Sequence, residues 1–257
     1  MSEDRPPVAL VTGASSGIGA ASSRALAAAG FDVLVAARRR DRLDRLAAEI
    51  DAQAHPLDVT DPASVASLAE RVERLDLLVN NAGAAFGLAP VGELDEDHWR
   101  GMFELNVLAV GRMARAFLPL LEASSLECWG RGQIINIGST AGFETYPGGA
   151  GYTASKHGLR ALTRTLRLEL LGRGVKVTEI SPALTETEFS TVRFDGDSRR
   201  AARVYEGMTP LQAEDIARCV VFAATQPGHA SVDELVIRPL DQADSTTIHR
   251  RDPGANC

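Results

Sequence analysis

The chain has 257 residues, 45% of them hydrophobic and 24% charged, with a formal net charge of −7. That length suits one large α/β domain, and the acidic balance argues against nucleic acid or an anionic membrane as partner. No apolar run approaches the roughly 20 residues of a membrane span, while the three cysteines (Cys128, Cys219, Cys257) and five histidines are too dispersed for a disulfide framework or a metal cluster. The polar start, Met1–Pro7, leads directly into an apolar stretch, which predicts no signal peptide and a cytoplasmic protein. Val8–Val11 reads as a buried strand, Ile18–Ala29 as a helix closed by Gly30, Asp32–Ala37 as a second strand and Arg42–Ile50 as a charged helix. Strands follow at Ala54–Leu57, Leu75–Val79, Gln133–Ile137, Val175–Ile180 and Glu234–Arg238. Helices are expected at Ala63–Arg74, within Glu96–Leu121, at Ala150–Leu171 and at Ala213–Thr225. Strands apolar on both faces and separated by helices imply a parallel sheet covered on both sides. The expectation is one α/β domain spanning 1–257, doubly wound around about seven strands. Glu186–Met208 forms an irregular excursion near its end.

Between the first strand and the first helix lies Thr12–Gly19, reading TGASSGIG. Glycines 13, 17 and 19 permit a tight turn that brings bare backbone against a pyrophosphate at the helix N-terminus. No G-K-[ST] follows, so this is not a Walker loop. A dinucleotide fold that selects NAD carries an Asp or Glu at the end of its second strand for the ribose diol. Here that place reads Ala36-Ala37-Arg38-Arg39, with no acid before Asp41. Arg38 is placed to meet a 2′-phosphate, with Arg39 and Ser15 as helpers, and the expected cofactor is NADP(H). Ordinary arginines in a basic turn are the alternative.

Tyr152 and Lys156 stand four residues apart on an expected helix, which stacks them on one face. An ammonium beside a phenol favours the phenolate and is expected to lower the Tyr152 pKa towards working pH. A tyrosine tuned in this way passes a proton to or from a substrate oxygen. The chain holds 25 arginines and only two lysines, Lys156 and Lys176, so a lysine here suggests that its compact point charge is wanted. A solvated surface pair remains the plainer reading of this spacing alone.

These motifs occur in one order along nearly the whole chain: TGASSGIG at Thr12–Gly19, Asp58 after the third strand, Asn80-Asn-Ala-Gly83, Asn106, Ser139 and Tyr152 with Lys156. In that order they resemble the short-chain dehydrogenase/reductase family, which implies a Rossmann fold. By that resemblance Gly13, Ser15, Ser16, Gly17, Ile18 and Gly19 would hold the cofactor phosphates. Asp58 and Val59 would hold the adenine, and Asn80, Ala82 and Gly83 would pass under the ribose. Asp58 has an alternative as the cap of the next helix, and Asn80 as turn chemistry. Pro182, Thr185 and Thr187 would grip the nicotinamide carboxamide. The family normally has Gly after that proline, and Ala183 stands here, which leaves the local backbone geometry open.

The catalytic set implied by the resemblance is Asn106, Ser139, Tyr152 and Lys156. Tyr152 would take the hydroxyl proton as hydride leaves for the nicotinamide, or donate a proton in reduction. Ser139 would stabilise the substrate oxygen. Lys156 would tune Tyr152 and bond the ribose, and Asn106 would hold a relay water. Within the family, Thr187–Phe194, Gly138–Gly142 and His249-Arg250 are similar to the NADP-dependent 3-hydroxy acid dehydrogenases acting on serine and allo-threonine. Arg193 would then bind a substrate carboxylate in a two-pronged contact, or else serve to fold a lid at 186–208. The alternatives are a ketoreductase for a larger carbonyl and a non-catalytic NADP-binding sensor. The resemblance also implies a homotetramer. Ser124–Gly132 departs from a tight helix-to-strand connection, with no function attached to it.

Overall fold

A computed structural model describes residues 5–93 and 95–251; the first residues of the polar start and Cys257 lie outside them. The strands are β1 (Val8–Thr12), β2 (Asp32–Ala37), β3 (Gln53–Pro56), β4 (Leu77–Asn80), β5 (Gln133–Ile137), β6 (Lys176–Pro182) and β7 (Glu234–Ile237). All pair in parallel in the order β3-β2-β1-β4-β5-β6-β7. Strand order reverses between β1 and β4, and in such a sheet the crevice beyond the strand ends at that point is where ligands sit. This is the doubly wound, single-domain sheet that the sequence predicts.

Side chains alternate across each strand, and the two faces fill separately. Ala9, Val11, Val33, Val35, Val79 and Ile135 pack on one face. They meet α1 (Gly17–Ala28), α2 (Arg40–Ile50) and α9 (Ala213–Ala224). Leu10, Leu34, Leu78, Ile134 and Val177 pack on the other. There they meet α3 (Pro62–Arg71), α5 (Ala109–Glu127) and α6 (Ala150–Glu169). One rung on this second face is polar: Asn80, Asn136, Glu179 and Glu234 are successive cross-strand partners. Asn80 donates to Asn136 at 2.9 Å, and Asn136 donates to Thr163 of α6 at 3.0 Å.

The helix expected within Glu96–Leu121 is longer and interrupted. It runs as α4 (Glu96–Phe103), a π turn over Glu104–Leu108, and α5. Its continuation to Glu127 explains Ser124–Gly132. Asp76 is only 2% exposed, and it accepts from Val8 N–H at 2.7 Å and from the Ser124 hydroxyl. It also pairs with Arg74 at 2.6 Å and Arg131 at 2.9 Å. Ser125 accepts from Gly132 N–H and donates to the Gly174 carbonyl. Ser124, Ser125 and Gly132 form a buried polar joint between α5, β5 and the start of β6, while Leu126 and Trp129 of the same segment are exposed.

The excursion after β6 is more regular than expected, with α7 (Glu188–Arg193) and α8 (Ser198–Arg203). Thr187 caps α7 and Asp197 caps α8. The residues before the C-terminus fold back on its far end: Arg251 N–H donates to the Gly207 carbonyl at 2.7 Å, and Arg250 donates to the Val204 carbonyl at 3.2 Å.

Candidate active site

A cleft of about 640 Å³ opens over the switch point, within the range of small-molecule and cofactor sites. At one end, α1 begins at Gly17 with no acid in its first turn and no side chain capping it. Ser16, in the capping position, instead accepts from Arg39 at 2.6 Å. The first amides of a helix lack internal partners and carry its positive end, so this terminus fits a pyrophosphate. Gly17 has φ +51, and a Cβ there would lie 3.2 Å from Thr187 Cβ; the excursion thus passes directly over the glycine loop. Gly19 is needed for close approach, because a Cβ there would sit 2.5 Å from the Gly13 carbonyl oxygen. Arg38 lines the cleft with no hydrogen-bond partner among the described residues. Arg39 is engaged by Ser15 at 3.0 Å and by Glu188 of α7 at 2.8 Å. Glu188 also accepts from Arg42 at 2.6 Å. Bonds from Arg39 and then Arg42 hold its carboxyl down to about 2.

At the other end, Ser139, Tyr152, Lys156 and Arg193 line the same cleft. Helix α6 sets Tyr152 and Lys156 one turn apart, both buried. The expected lowering of the tyrosine is not what this geometry produces. Burial and the neighbouring Tyr146 push the Tyr152 phenol up from its ordinary value, against weaker opposing pulls from Ser139 and Arg193. Lys156 Nζ donates to the Ile137 carbonyl at 2.9 Å and lies 6.0 Å from the Tyr152 ring centroid. Burial pushes Lys156 down to about 8, with Glu179 acting in the other direction. Arg193 stacks over Tyr152 with its guanidinium carbon 5.7 Å from the ring centroid. It donates through Nε to the Gly87 carbonyl at 3.0 Å and through Nη1 to the Tyr146 hydroxyl at 3.0 Å. Phe189 of α7 closes over Tyr152, their centroids 5.5 Å apart.

Residues 7–197 match the family described as short chain dehydrogenase. The chain belongs to the short-chain dehydrogenase family. It is 54% identical over 242 residues to an uncharacterized oxidoreductase of Mycobacterium tuberculosis, covering 94% of each chain. It is 38% identical to sulfoacetaldehyde reductase 2 of Chromohalobacter salexigens, covering 95% of this chain and 99% of the relative. Among solved structures it superposes on the closed form of a serine dehydrogenase complexed with NADP+ with a TM-score of 0.88 at 35% identity, covering 95% of this chain and all (100%) of that one.

Several expected residues of this short-chain dehydrogenase take other positions. Asn80 does not face the cleft; it is 3% exposed and belongs to the polar rung beneath α6. The next residue, Asn81, lines the cleft and donates to the Thr12 carbonyl at 2.8 Å, holding the glycine loop to β4. Strand alternation explains the switch, since the last residue of β4 turns towards the second face. Ala82 and Gly83 line the cleft as expected, as do Val59, Pro182, Thr185 and Thr187. Asp58 lines it too and does not cap α3, a role taken by Asp61. Burial raises the Asp58 carboxyl, but two bonds from Thr60 and the nearby Arg38 outweigh this and hold it below the usual range.

Asn106 sits in the π turn, where Ala109 N–H reaches back five residues to Glu104. Its side chain accepts from Ala84 N–H at 3.1 Å and donates to the Ala84 carbonyl and to Ser155. Ala183 fits without strain: the non-glycine residues with positive φ are Asp51 and Asp195 among those described, and Ala183 N–H extends the ladder to the Ile237 carbonyl at 2.9 Å. Sequence reasoning missed Glu188, Tyr146 and Glu179. Glu188 follows Thr187 at the head of a helix, and an acid there facing a basic turn was the available signal.

Proposed function

We propose that this short-chain dehydrogenase is an NADP(H)-dependent oxidoreductase that interconverts a secondary alcohol and its ketone, with a small 3-hydroxy acid or hydroxyl amino acid as substrate. One observation carries this reading: a single cleft has an uncapped, cationic helix end on one side and Ser139, Tyr152 and Arg193 together on the other. The bound cofactor supplies the hydride donor or acceptor. Gly13 and Ser15–Gly19 take its phosphates, Arg38 and Arg39 its 2′-phosphate, and Asp58 and Val59 its adenine. Ala82 and Gly83 lie under the ribose, and Pro182, Thr185 and Thr187 hold the carboxamide side.

Tyr152 carries the proton. A phenol pushed up by burial is held protonated and suits the donor role in reduction. Ser139 donates to the substrate oxygen and stabilises charge that develops there. Lys156 bonds the ribose and faces Tyr152, and Asn106, tied to Ala84 and Ser155, holds the relay water. Residues 186–208 form a lid over the cleft within a single domain spanning 1–257.

The substrate assignment rests on Arg193, whose guanidinium lies over Tyr152 with Nη2 unpartnered among the described residues. A cation there selects a substrate with an anionic group a short distance from the carbinol. Serine and sulfoacetaldehyde, named for two of the similar proteins, are small and carry such a group; both react at a primary alcohol or aldehyde carbon, so they support the anionic group and not the secondary carbinol. The test is turnover with NADP(H) and NAD(H) across 3-hydroxy acids, hydroxyl amino acids and bulky ketones, followed by nicotinamide absorbance. NADP-linked turnover of the small acids, lost in Arg193→Met, is expected. Turnover of bulky ketones alone would move the assignment to a larger carbonyl. Tight NADPH binding without turnover of any substrate would favour the sensor.

The proposed assembly is a cytoplasmic homotetramer. Its support is the exposed apolar side chains along the π turn and α6, with Leu108 57% and Leu168 77% accessible. Light scattering decides the stoichiometry.

A further inference from the structure

Glu179 is a buried carboxylate that the proposed chemistry does not use. It lies on β6, 3% exposed, between Asn136 and Glu234 on the rung that faces α6. Ser181 donates to its Oε1 at 2.9 Å. Arg160, one turn beyond Lys156 on α6, gives both terminal nitrogens to Glu234 and stands 3.9 Å from Glu179 Oε1. Glu234 therefore takes most of that guanidinium.

Gly138 gives the carboxylate its direction. A Cβ at this position would lie 2.6 Å from Glu179 Oε1 and 2.9 Å from Ser181 Oγ. Bare backbone here lets the carboxylate lie along the end of β5, beside the residue preceding Ser139. Lys156 Nζ bonds the carbonyl of Ile137, the residue before that glycine. Burial pushes the Glu179 carboxyl up, the bond from Ser181 and the charges of Arg160 and Lys156 on α6 pull it down, and Glu234 on β7 pushes it up. The groups facing Lys156 are Glu179, the Tyr152 ring and the Ile137 carbonyl. An ammonium withdrawn from water is costly without a nearby anion, and a carbonyl dipole is only partial compensation.

We propose that Glu179 is a positioning residue for the reaction, the buried counter-charge that keeps Lys156 an ammonium beside Tyr152; this rests on the reading of Asn106, Ser139, Tyr152 and Lys156 as a catalytic tetrad. Glu179→Gln preserves size and the acceptor for Ser181 while removing the charge. The alkaline limb of kcat/KM for ketone reduction is expected to move to lower pH by about one pH unit. Glu179→Asp, which retains the charge, keeps the limb near its wild-type position. An unmoved limb, or a uniform loss at every pH, overturns the proposal. Should Glu179→Gln fail to fold, Glu179→Met removes the charge at similar volume and is expected to move the limb the same way; an unmoved limb there also overturns it. Tyr152→Phe separates the two readings. An inactive Tyr152→Phe beside an unmoved Glu179→Gln limb discards Glu179 alone, whereas a fully active Tyr152→Phe discards the tetrad and this inference together.

Discussion

The buried pair of Tyr152 and Lys156 is governed by burial more than by neighbouring charge. Tyr152 shows it: its position four residues before a lysine suggests a lowered phenol, yet removal from water acts more strongly and in the opposite direction. Tyr152→Phe is expected to reduce turnover by at least about 10²–10⁴-fold, the range of a lost general acid, while NADPH fluorescence titration shows binding intact. Arg38 is the complementary case, a cation at the cleft with no protein partner among the described residues. Loss of a charge-assisted contact costs about 1.5–3 kcal/mol, so Arg38→Ala should raise KM for NADPH roughly 10- to 100-fold and leave KM for NADH nearly unchanged. Much of this was legible in the sequence, because the glycine spacing, the missing acid after β2 and the Tyr–Lys pair each carry their own chemistry. Asn80 and Asn81 were not separable in that way. Which of two adjacent asparagines faces a ligand depends on where the strand pleat ends, and sequence pattern alone leaves that boundary loose.

At the scale of elements, the strands were legible because each is a short apolar run between helices, and they fall within a few residues of expectation. The long helix was recognised, but the π turn at Glu104–Leu108 was not. A π turn needs only one inserted residue and leaves the apolar stripe nearly continuous. The excursion after β6 was read as irregular because α7 and α8 are six residues each, too short for a periodic signal. Their order comes from caps and from Glu188, which ties α7 to Arg39 and Arg42. The Glu188 carboxyl is depressed to about 2, so its contribution is present above the unfolded carboxyl range and lost only as pH falls towards that value. The tie is therefore constant across neutral pH. Glu188→Gln should raise KM for NADPH by roughly 2- to 10-fold, the scale of one or two partly exposed pairs, and should speed proteolysis between α7 and α8.

For the whole molecule, the two apolar faces of the sheet are joined to the rest by a few buried polar anchors. Asp76 is the clearest, gathering Val8, Ser124, Arg74 and Arg131 at the edge away from the cleft. Asp76→Asn would leave two arginines facing an uncharged amide, and breaking a buried pair costs about 3–5 kcal/mol. Thermal unfolding should show the loss as a Tm lowered by roughly 2–4 °C for each kcal/mol. Activity per folded molecule should stay the same, because the joint lies at the opposite end of the strands from Tyr152. Nothing in the sequence singled out Asp76, since an acid before an apolar strand is ordinary, and only the tertiary fold brings its four partners to it.

The bridge from Glu188 to Arg39 and Arg42 borders the cleft, which Glu188 and Arg39 help to line, and the two arginine side chains are 42% and 40% exposed. Charges so placed are screened by dissolved ions, with a Debye length near 10 Å at 0.1 M. If a bound dinucleotide leaves past that bridge, its dissociation rate, followed by stopped-flow fluorescence, should quicken as potassium chloride is added. Where departure limits the cycle, kcat will climb over the same range while affinity declines, so that the surrounding electrolyte sets the balance between speed and grip.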